Sequence, residues 1–468
     1  MSPPVVESPL RVPESLLRRV DSPGPRYTSY PTADRFVEAF GPAEYQQALQ
    51  ERAWGARIGA SPLSLYVHIP FCESVCYYCA CNKVVTKHHD KAAEYLRALE
   101  TEIDLHLAEL GAGQPVVQLH LGGGTPTFLS DAELERLMSD IRRAFKLLPH
   151  AELSIEVDPR TASEARLAHL RALGFNRISF GVQDFDPDVQ KAVHRVQSFE
   201  SVQLLMDSAR SLGFVSTNVD LIYGLPLQTA SSFERTIERV IALQPGRIAL
   251  YSYAHLPQRF KPQRRIDGSQ LPSGETRLQM LGGAISSFLA GGYDYVGMDH
   301  FAKPDDSLAQ AKRKGLLHRN FQGYSTLPDC DIVALGVSAI GRIGSTFSQN
   351  AKTLEEYQDA MRQRRFATVR GLSSTRDDLV RRAVIMAIMC QGRVEFESIE
   401  LAHLIRMREY FAPELERLES LAADGLVVID DDAILVTEMG WYFVRGIAMV
   451  FDRYIQADRT RAQFSRII

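Results

Sequence analysis

Residues 215–253 read VSTNVDLIYGLPLQTASSFERTIERVIALQPGRIALYSY. The two ends, VSTNVDLIY and RIALYSY, are rich in β-branched and aromatic residues, whereas SSFERTIERVIAL between them has the spacing of a helix. Strand, helix and strand in that order predict a parallel βαβ unit with a right-handed crossover. The same alternation runs through the middle of the chain. LSLYVHI begins at Leu63, VVQLHL at Val116, ELSIEV at Glu152, RISFGV at Arg177 and YDYVGM at Tyr293, and helical segments such as KAAEYLRALETEIDLHLAEL lie between most of them. Six or seven units in roughly 240 residues predict an α/β domain built as a partial or full (β/α) barrel. Side chains that do chemistry are then expected at the carboxyl ends of the strands.

The flanks read differently. Residues 1–60 lack the rhythm and carry SPGPRYTSYPTADRF, rich in proline and aromatics, so an N-terminal extension that covers the active site is expected. The barrel is expected over 61–365. Residues 366–468 begin with the helical RDDLVRRAVIMAIM and LAHLIRMREYFAPELERLESLAADG, then show two short β-runs around an Asp-rich turn in LVVIDDDAILVTEMGWYFV. That order predicts a mainly helical, winged-helix-like domain. Because the stretch is acidic, a structural or lid role is expected of it rather than DNA binding.

Composition narrows the class. The chain has 468 residues, 45% of them hydrophobic, and a net charge of −4. It can bury a large core, and it offers no general electrostatic case for nucleic acid or an anionic membrane. No apolar run reaches the roughly 18 residues of a spanning helix, and the first 20 residues lack the apolar core of a secretory signal. Six cysteines are too few for a disulfide scaffold of this length. A cytoplasmic enzyme with reduced thiols is expected, with a monomer as the default.

Four of those cysteines sit in CESVCYYCACNK, residues 72–83. Cys72, Cys76, Cys79 and Cys81 follow the first strand directly, on the face where chemistry is expected. A structural zinc site draws its four ligands as two separated pairs, and no second pair exists here, Cys330 and Cys390 being isolated. A redox Cys-x-x-Cys reading uses only Cys76 and Cys79. Soft thiolates also bind iron–sulfur clusters, and three on one loop can hold three irons of a cube and leave the fourth open.

Cys72-x3-Cys76-x2-Cys79, with an aromatic before the last cysteine, resembles the cluster loop of radical S-adenosylmethionine enzymes. LGGGTPTFL after the second strand resembles the glycine-rich element that meets the methionine end of that cofactor. Within the superfamily the chain resembles the oxygen-independent coproporphyrinogen III oxidases, through PRYTSYPTA, YVHIPFC, CNK, GGGTPT, SIEVDPR, FNRISFGVQDF, NVDLIYGLP, YAHLP, GMDHFAKPDD, HRNFQGY, GVSAI and the terminal FSRII. The likeness runs from about residue 20 to the end. It implies a barrel of the radical S-adenosylmethionine type, a [4Fe–4S] cluster with three cysteine ligands and two molecules of S-adenosylmethionine. The implied reaction turns two propionates of coproporphyrinogen III into vinyl groups, giving protoporphyrinogen IX and carbon dioxide in haem biosynthesis. A 5′-deoxyadenosyl radical would take hydrogen from a carbon no side-chain base can deprotonate. A low-potential one-electron donor, flavodoxin- or ferredoxin-like, is the implied partner.

Position by position, the resemblance implies Cys72, Cys76 and Cys79 as cluster ligands. Tyr66, Tyr78, Gly123, Glu156 and Ile340 would contact the cluster-bound S-adenosylmethionine. Gly124, Thr125, Gln183, Arg195, Asp220 and Ala254 would contact the second molecule. Most fall at strand ends, as the barrel reading requires, and the residue types suit ribose hydroxyls, an amino group and a carboxylate. Plainer readings exist. GGGTP could be a tight turn only, Glu156 and Asp220 surface carboxylates or caps, Arg195 a solvated helical arginine, and Tyr66 core packing. Cys81 has no corner of an open cube to fill, so it is expected near the second S-adenosylmethionine or the substrate, not on iron. Ala80 stands where the family often has glycine; if a positive φ is needed there, alanine costs roughly 1–2 kcal/mol. Arg26, Arg319 and the group Arg259, Lys261, Arg264 and Arg265 are candidates for the substrate's four carboxylates.

Two other functions fit parts of the pattern. A haem chaperone shares the radical fold and the cysteine triplet, but generally lacks the PRYTSYP segment and a cysteine at position 81. A zinc-binding interaction module would use the thiols without catalysis, and would lack the brown colour of an iron–sulfur protein.

Overall fold

The computed structural model describes Leu16 and residues 24–56, 61–327 and 329–457. Residues 1–15 and 17–23 of the expected N-terminal extension, and the terminal FSRII, lie outside the described residues. Six parallel strands lie side by side in chain order: β1 (Leu63–Ile69), β2 (Gln114–Gly123), β3 (Phe145–Val157), β4 (Arg177–Gln183), β5 (Ser216–Tyr223) and β6 (Arg247–Ser252). Their crossovers carry helices α1 (Asp90–Leu110), α2 (Asp131–Ala144), α3 (Glu164–Ala172), α4 (Phe199–Ser211) and α5 (Ala230–Leu243). Local chemistry starts these helices cleanly. Ser130 with Glu133, and Thr229 with Ser232, form reciprocal capping boxes at α2 and α5. Along α5 the buried residues Phe233, Thr236, Ile237, Val240 and Leu243 make the stripe that packs on the sheet.

The strands sort their faces by alternation. In β5, Val219, Leu221 and Tyr223 are buried, while Asn218, Asp220 and Ile222 line cavities inside the barrel. The inner face therefore carries polar groups toward the carboxyl ends of the strands.

The sheet continues past both edges of the parallel set. On one side come β8 (His300–Ala302) and then β7 (Asp294–Gly297); on the other come β9 (Ile332–Leu335), β10 (Ile340–Ile343), β11 (Thr346–Asn350) and β12 (Thr368–Ser373). Among the described residues the order is β12-β11-β10-β9-β1-β2-β3-β4-β5-β6-β8-β7, and the two ends do not meet. The barrel is partial. YDYVGM, expected as a further parallel strand, is instead the antiparallel edge strand β7. Only Met298 and Asp299 separate β7 from β8, and so short a turn can join only antiparallel partners.

After the sheet come α6 (Arg376–Gln391) and a small sheet of β13 (Arg393–Glu395), β14 (Val427–Ile429) and β15 (Ala433–Val436), in the order β13-β15-β14. The long helical pattern between β13 and β14 is broken into Phe396–His403, Met407–Tyr410 and Ala412–Ala423, with Leu404 in the left-handed region where the first piece ends. This part docks firmly. Tyr324 Oη donates to the Met389 carbonyl at 2.9 Å, Trp441 Nε1 donates to the Val296 carbonyl at 2.9 Å, and one apolar core runs from Leu16 to Phe451. PRYTSYP forms a buried strap between the barrel edge and the last of the described helices. Tyr27 donates to Asp452 at 2.9 Å, Tyr30 accepts from the Arg453 amide, and Arg26 pairs with Asp299 and lies 5.2 Å from the Tyr251 ring.

Candidate active site

The loop after β1 carries the thiols to the carboxyl ends of the strands. It is tied down along its length. The Thr86 amide donates to the Cys72 carbonyl, the Cys79 amide to Cys76, and the Tyr77 amide to Val193 across the barrel mouth. His194 stacks on Tyr77 at 5.1 Å and its Nδ1 lies 2.9 Å from the Val75 carbonyl. Lys83 Nζ donates to the carbonyls of Cys79 and Cys81. Ala80 is not among the described residues with positive φ, so alanine carries no backbone penalty there.

Twelve of the expected residues line one cavity of about 420 Å³: Cys72, Cys76, Tyr78, Cys79, Cys81, Gly123, Gly124, Thr125, Glu156, Gln183, Arg195 and Asp220. Tyr66 and Ile340 line a second cavity of about 440 Å³ deeper in the barrel, which shares Glu156, Ser179, Asp220 and Tyr251 with the first. Ala254 lines neither; it stands on the loop after β6, its carbonyl accepting from Gln263 Nε2 at 3.2 Å. Among the four arginines and lysines of that loop, Arg259, Lys261, Arg264 and Arg265 are all exposed and line neither cavity. Arg319 is buried, stacked over Tyr324 and donating to the Arg26 carbonyl.

The glycine-rich turn fits the protein as tightly as it would a ligand. A Cβ on Gly124 would stand 2.6 Å from the Pro70 carbonyl, and one on Gly123, whose φ is +117°, would stand 2.7 Å from the His68 ring. Glycine at these positions lets the turn lie on the cluster loop. It also brings the Gly123 amide to Glu156, which accepts it at 3.1 Å. His120 Nε2 lies 3.2 Å from the same carboxylate, its Nδ1 2.6 Å from Ser154 Oγ, and its ring stacks on Tyr66. Burial opposes the charge on Glu156, but His120 and the Gly123 amide outweigh it and hold the carboxyl below its usual range. Asp220 behaves oppositely: burial, then the Glu156 charge, pushes it up to about 6 although Ser179 and Asn218 hydrogen-bond it.

The thiols differ too. Burial pushes Cys72 up to about 11, its sulfur lying 3.4 Å from Thr125 Oγ1. Cys79 is drawn down to about 6, first by a hydrogen bond from Cys81 and, against burial, by Lys83. Among the described residues no three His, Cys, Asp or Glu groups converge as a single metal ion demands. A cube binds each thiolate through a different iron, so its ligands need no such convergence. Three soft donors on one tethered loop beside a sizeable cavity fit the cluster and its cofactor.

Arg195 is neither helical nor solvated. It follows the short helix Pro187–Ala192, is 7% exposed, and points into the site: Nη1 donates to Cys76 Sγ at 3.3 Å, while Nη1 and Nη2 each lie 3.2 Å from an Asp158 oxygen. Asp158 and Arg160 carry no signal of their own within SIEVDPR. Nor does Gln263, which donates to the Tyr78 and Ala254 carbonyls and so ties the cluster loop to the loop after β6. In the sequence it is one glutamine inside a basic run. Gln183 ends β4 with φ at +70°, followed by Asp184, which accepts from the Asp186 amide, Gln228 and Thr236.

A cluster-type thiol loop and a glycine turn at the open end of a partial βα barrel define a radical S-adenosylmethionine enzyme, and the radical SAM superfamily model matches residues 66–240. The HemN C-terminal domain model matches residues 374–443. The chain is 50% identical over 461 residues to the oxygen-independent coproporphyrinogen III oxidase of Pseudomonas aeruginosa, covering 98% of this chain and 99% of that one. It is 48% identical to the Escherichia coli protein of the same name, covering 97% and 98%. The solved structure of the Escherichia coli coproporphyrinogen III oxidase, described as a radical SAM enzyme, aligns with a TM-score of 0.87 at 50% identity, over 92% of this chain and 97% of that one. The chain belongs to the oxygen-independent coproporphyrinogen III oxidase family. No helix among the described residues is long and apolar enough to cross a membrane.

Proposed function

We propose that the thiol-lined cavity is where this chain carries out its family's activity, the oxygen-independent oxidation of coproporphyrinogen III in haem biosynthesis. The observation that carries this reading is the meeting of Cys72, Cys76, Cys79, the Gly123–Thr125 turn and Glu156 on one cavity at the strand ends. Cys72, Cys76 and Cys79 hold the cluster. Bound there with S-adenosylmethionine, it supplies a carbon-centred radical able to take hydrogen from an unactivated C–H bond.

The chain's own groups then have distinct tasks. Tyr78, Gly123 and Glu156 hold one S-adenosylmethionine against the cluster, with Tyr66 and Ile340 approaching from the deeper cavity; ionised Glu156 accepts from the ligand's donors, and His120 fixes its orientation. Gly124, Thr125, Gln183, Arg195 and Asp220 surround a second molecule, with Ala254 at the rim, because two propionates need two equivalents. Asp220 accepts from ribose hydroxyls or an amino group when ionised, and Arg195 meets a carboxylate. Tyr251 separates the two cavities and, under Arg26, forms the side on which the substrate's propionates approach. The strap that carries Arg26 keeps that wall in place and limits water entry. A low-potential donor, flavodoxin- or ferredoxin-like, supplies electrons at the loop's exposed edge. The compartment is the cytoplasm.

The test is anaerobic incubation of the reconstituted full chain with S-adenosylmethionine, a reductant and coproporphyrinogen III. Two 5′-deoxyadenosines per protoporphyrinogen IX are expected. Haem binding without tetrapyrrole conversion would overturn the reading.

A further inference from the structure

Cys76 differs from its two companions in what touches its sulfur. Arg195 Nη1 donates to it at 3.3 Å and Arg160 Nη2 at 3.5 Å. Both guanidiniums are clamped by one carboxylate: Asp158 Oδ1 accepts from Arg160 Nε at 3.0 Å and Arg195 Nη2 at 3.2 Å, and Oδ2 accepts from Arg160 Nη2 at 2.7 Å and Arg195 Nη1 at 3.2 Å. The group is largely enclosed, with Cys76 at 8%, Asp158 at 9% and Arg195 at 7% exposure. Among the described residues the Cys72 sulfur meets the Thr125 hydroxyl, and Cys79 meets the Cys81 thiol and the single ammonium of Lys83, which also holds the Cys79 carbonyl, so neither has a guanidinium pair. Two cations and one anion leave a net charge of +1 facing a single sulfur.

Asp158 holds its charge, because the two arginines outweigh the effect of burial and keep its carboxyl below the usual range. Its placement follows from local structure. It directly follows β3 and accepts the Arg160 amide at 3.1 Å at the start of a short 3-10 turn, which swings the Arg160 side chain back toward the loop. Arg195 arrives from the opposite direction, anchored by Nε on the Gly181 carbonyl at 3.2 Å.

We propose that Arg160 and Arg195, fixed by Asp158, are positioning residues that set the reduction potential of the cluster through Cys76. The inference rests on Cys76 being a cluster ligand. Reduction adds one electron, from the donor class named above, and takes the cluster core from 2+ to 1+ with no bond broken. Hydrogen-bond donors and positive charge at a ligand sulfur stabilise the electron-rich state, and low exposure strengthens the effect. The pair therefore raises the potential above what three bare thiolates would give, and it does so at one corner only. That corner is also where Arg195 is expected to meet the second S-adenosylmethionine, so occupancy of that site would alter the donor geometry on Cys76.

The test is an EPR-monitored redox titration of the anaerobically reconstituted full chain without S-adenosylmethionine. Arg160 is varied because Arg195 is assigned to ligand binding as well. Arg160→Gln is expected to shift the midpoint to lower potential at unchanged iron content, and Arg160→Lys, which keeps the charge but not the fork of donors, to fall between it and the unaltered protein. Coincidence of all three midpoints at full iron content would overturn the inference. If Arg160→Gln holds no cluster, Arg160→Lys alone decides: a midpoint equal to that of the unaltered protein overturns it. Failure of the underlying reading looks different, since Cys76→Ala would then retain its full iron.

Discussion

Two cavities of nearly equal size, about 420 and 440 Å³, stand end to end inside the barrel and share one wall, yet their linings differ in kind. The outer one is lined by thiols, glycines and carboxylates, among them Glu156 and Asp220, which their surroundings shift in opposite directions. The inner one reaches the amino ends of the strands, where charges cancel in pairs. Arg177 meets Glu152 at 2.7 Å, Arg247 meets Asp306 at 2.9 Å, and both arginines donate to Ser307 Oγ. The contrast teaches what each end of a βα barrel is for. Strand starts carry groups that close on each other, and strand ends carry groups that await a ligand.

The largest effect expected is at the outer end. Cys72→Ala, Cys76→Ala or Cys79→Ala should each abolish cluster retention and tetrapyrrole conversion while leaving the far-UV circular dichroism unchanged. Iron analysis beside product chromatography checks this; full iron in any one of them would remove that residue from the ligand set. The inner end should fail in the opposite way. Arg247→Ala strands the buried Asp306 carboxylate, 7% exposed, and should cost about 3–5 kcal/mol in denaturant unfolding. Protein that does fold should still bind iron. A stable variant without iron would break the division between the two ends.

That division was partly legible in the sequence. The six parallel strands announced themselves as β-branched runs at regular intervals, and the functional face followed from them. β10 and β11, in contrast, are IGRI and TFSQN, too short and too polar to read as strands, and they form because β9 offers an edge to β10 and β10 in turn offers one to β11. At the site, thiols and glycines were readable because few other chemistries need that spacing. Asp158 and Arg160 were not, because Asp-Pro-Arg after a strand reads as a capped turn, which it also is. Arg195 is placed at the site by the family resemblance, whereas its own stretch of sequence equally suits a solvated helical residue. Only the crossing of two loops distant in sequence, which carry Cys76 and Arg195, makes it a buried donor.

A third prediction concerns Glu102, which is 1% exposed on α1 and holds the turn between β9 and β10 that presents Ile340. It accepts from the Gly336 amide at 2.6 Å, Tyr357 Oη at 2.7 Å and Asn350 Nδ2 at 2.7 Å, yet burial outweighs these and raises it to about 7. A carboxyl whose folded value is raised holds its proton longer when folded. Its contribution is complete below about 4.5 and is lost as pH rises through about 7. Stability should therefore fall by up to about 3 kcal/mol from this group across that window. In Glu102→Gln that part of the slope should vanish, whatever the change in absolute stability. Denaturant titrations at pH 5 and pH 8 measure it; parallel slopes in the two proteins would sink the assignment.

The smallest effect sharpens the outer cavity itself. Cys81 lines it two residues past Cys79, exposed, with its carbonyl held by Lys83. On the proposed assignment three thiols account for the ligands of an open cube, and we propose a different task for the fourth: to keep a soft, weakly donating group beside the second S-adenosylmethionine or the substrate. Serine preserves size and a hydrogen-bonding hydrogen but loses the polarisable sulfur. Cys81→Ser should therefore retain iron and the EPR signal of the reduced cluster while turnover falls about tenfold, about 1.4 kcal/mol of barrier. Iron and activity lost in proportion would make Cys81 a ligand and erase its distinction from Cys72, Cys76 and Cys79. Unchanged turnover would reduce it to part of the cavity wall.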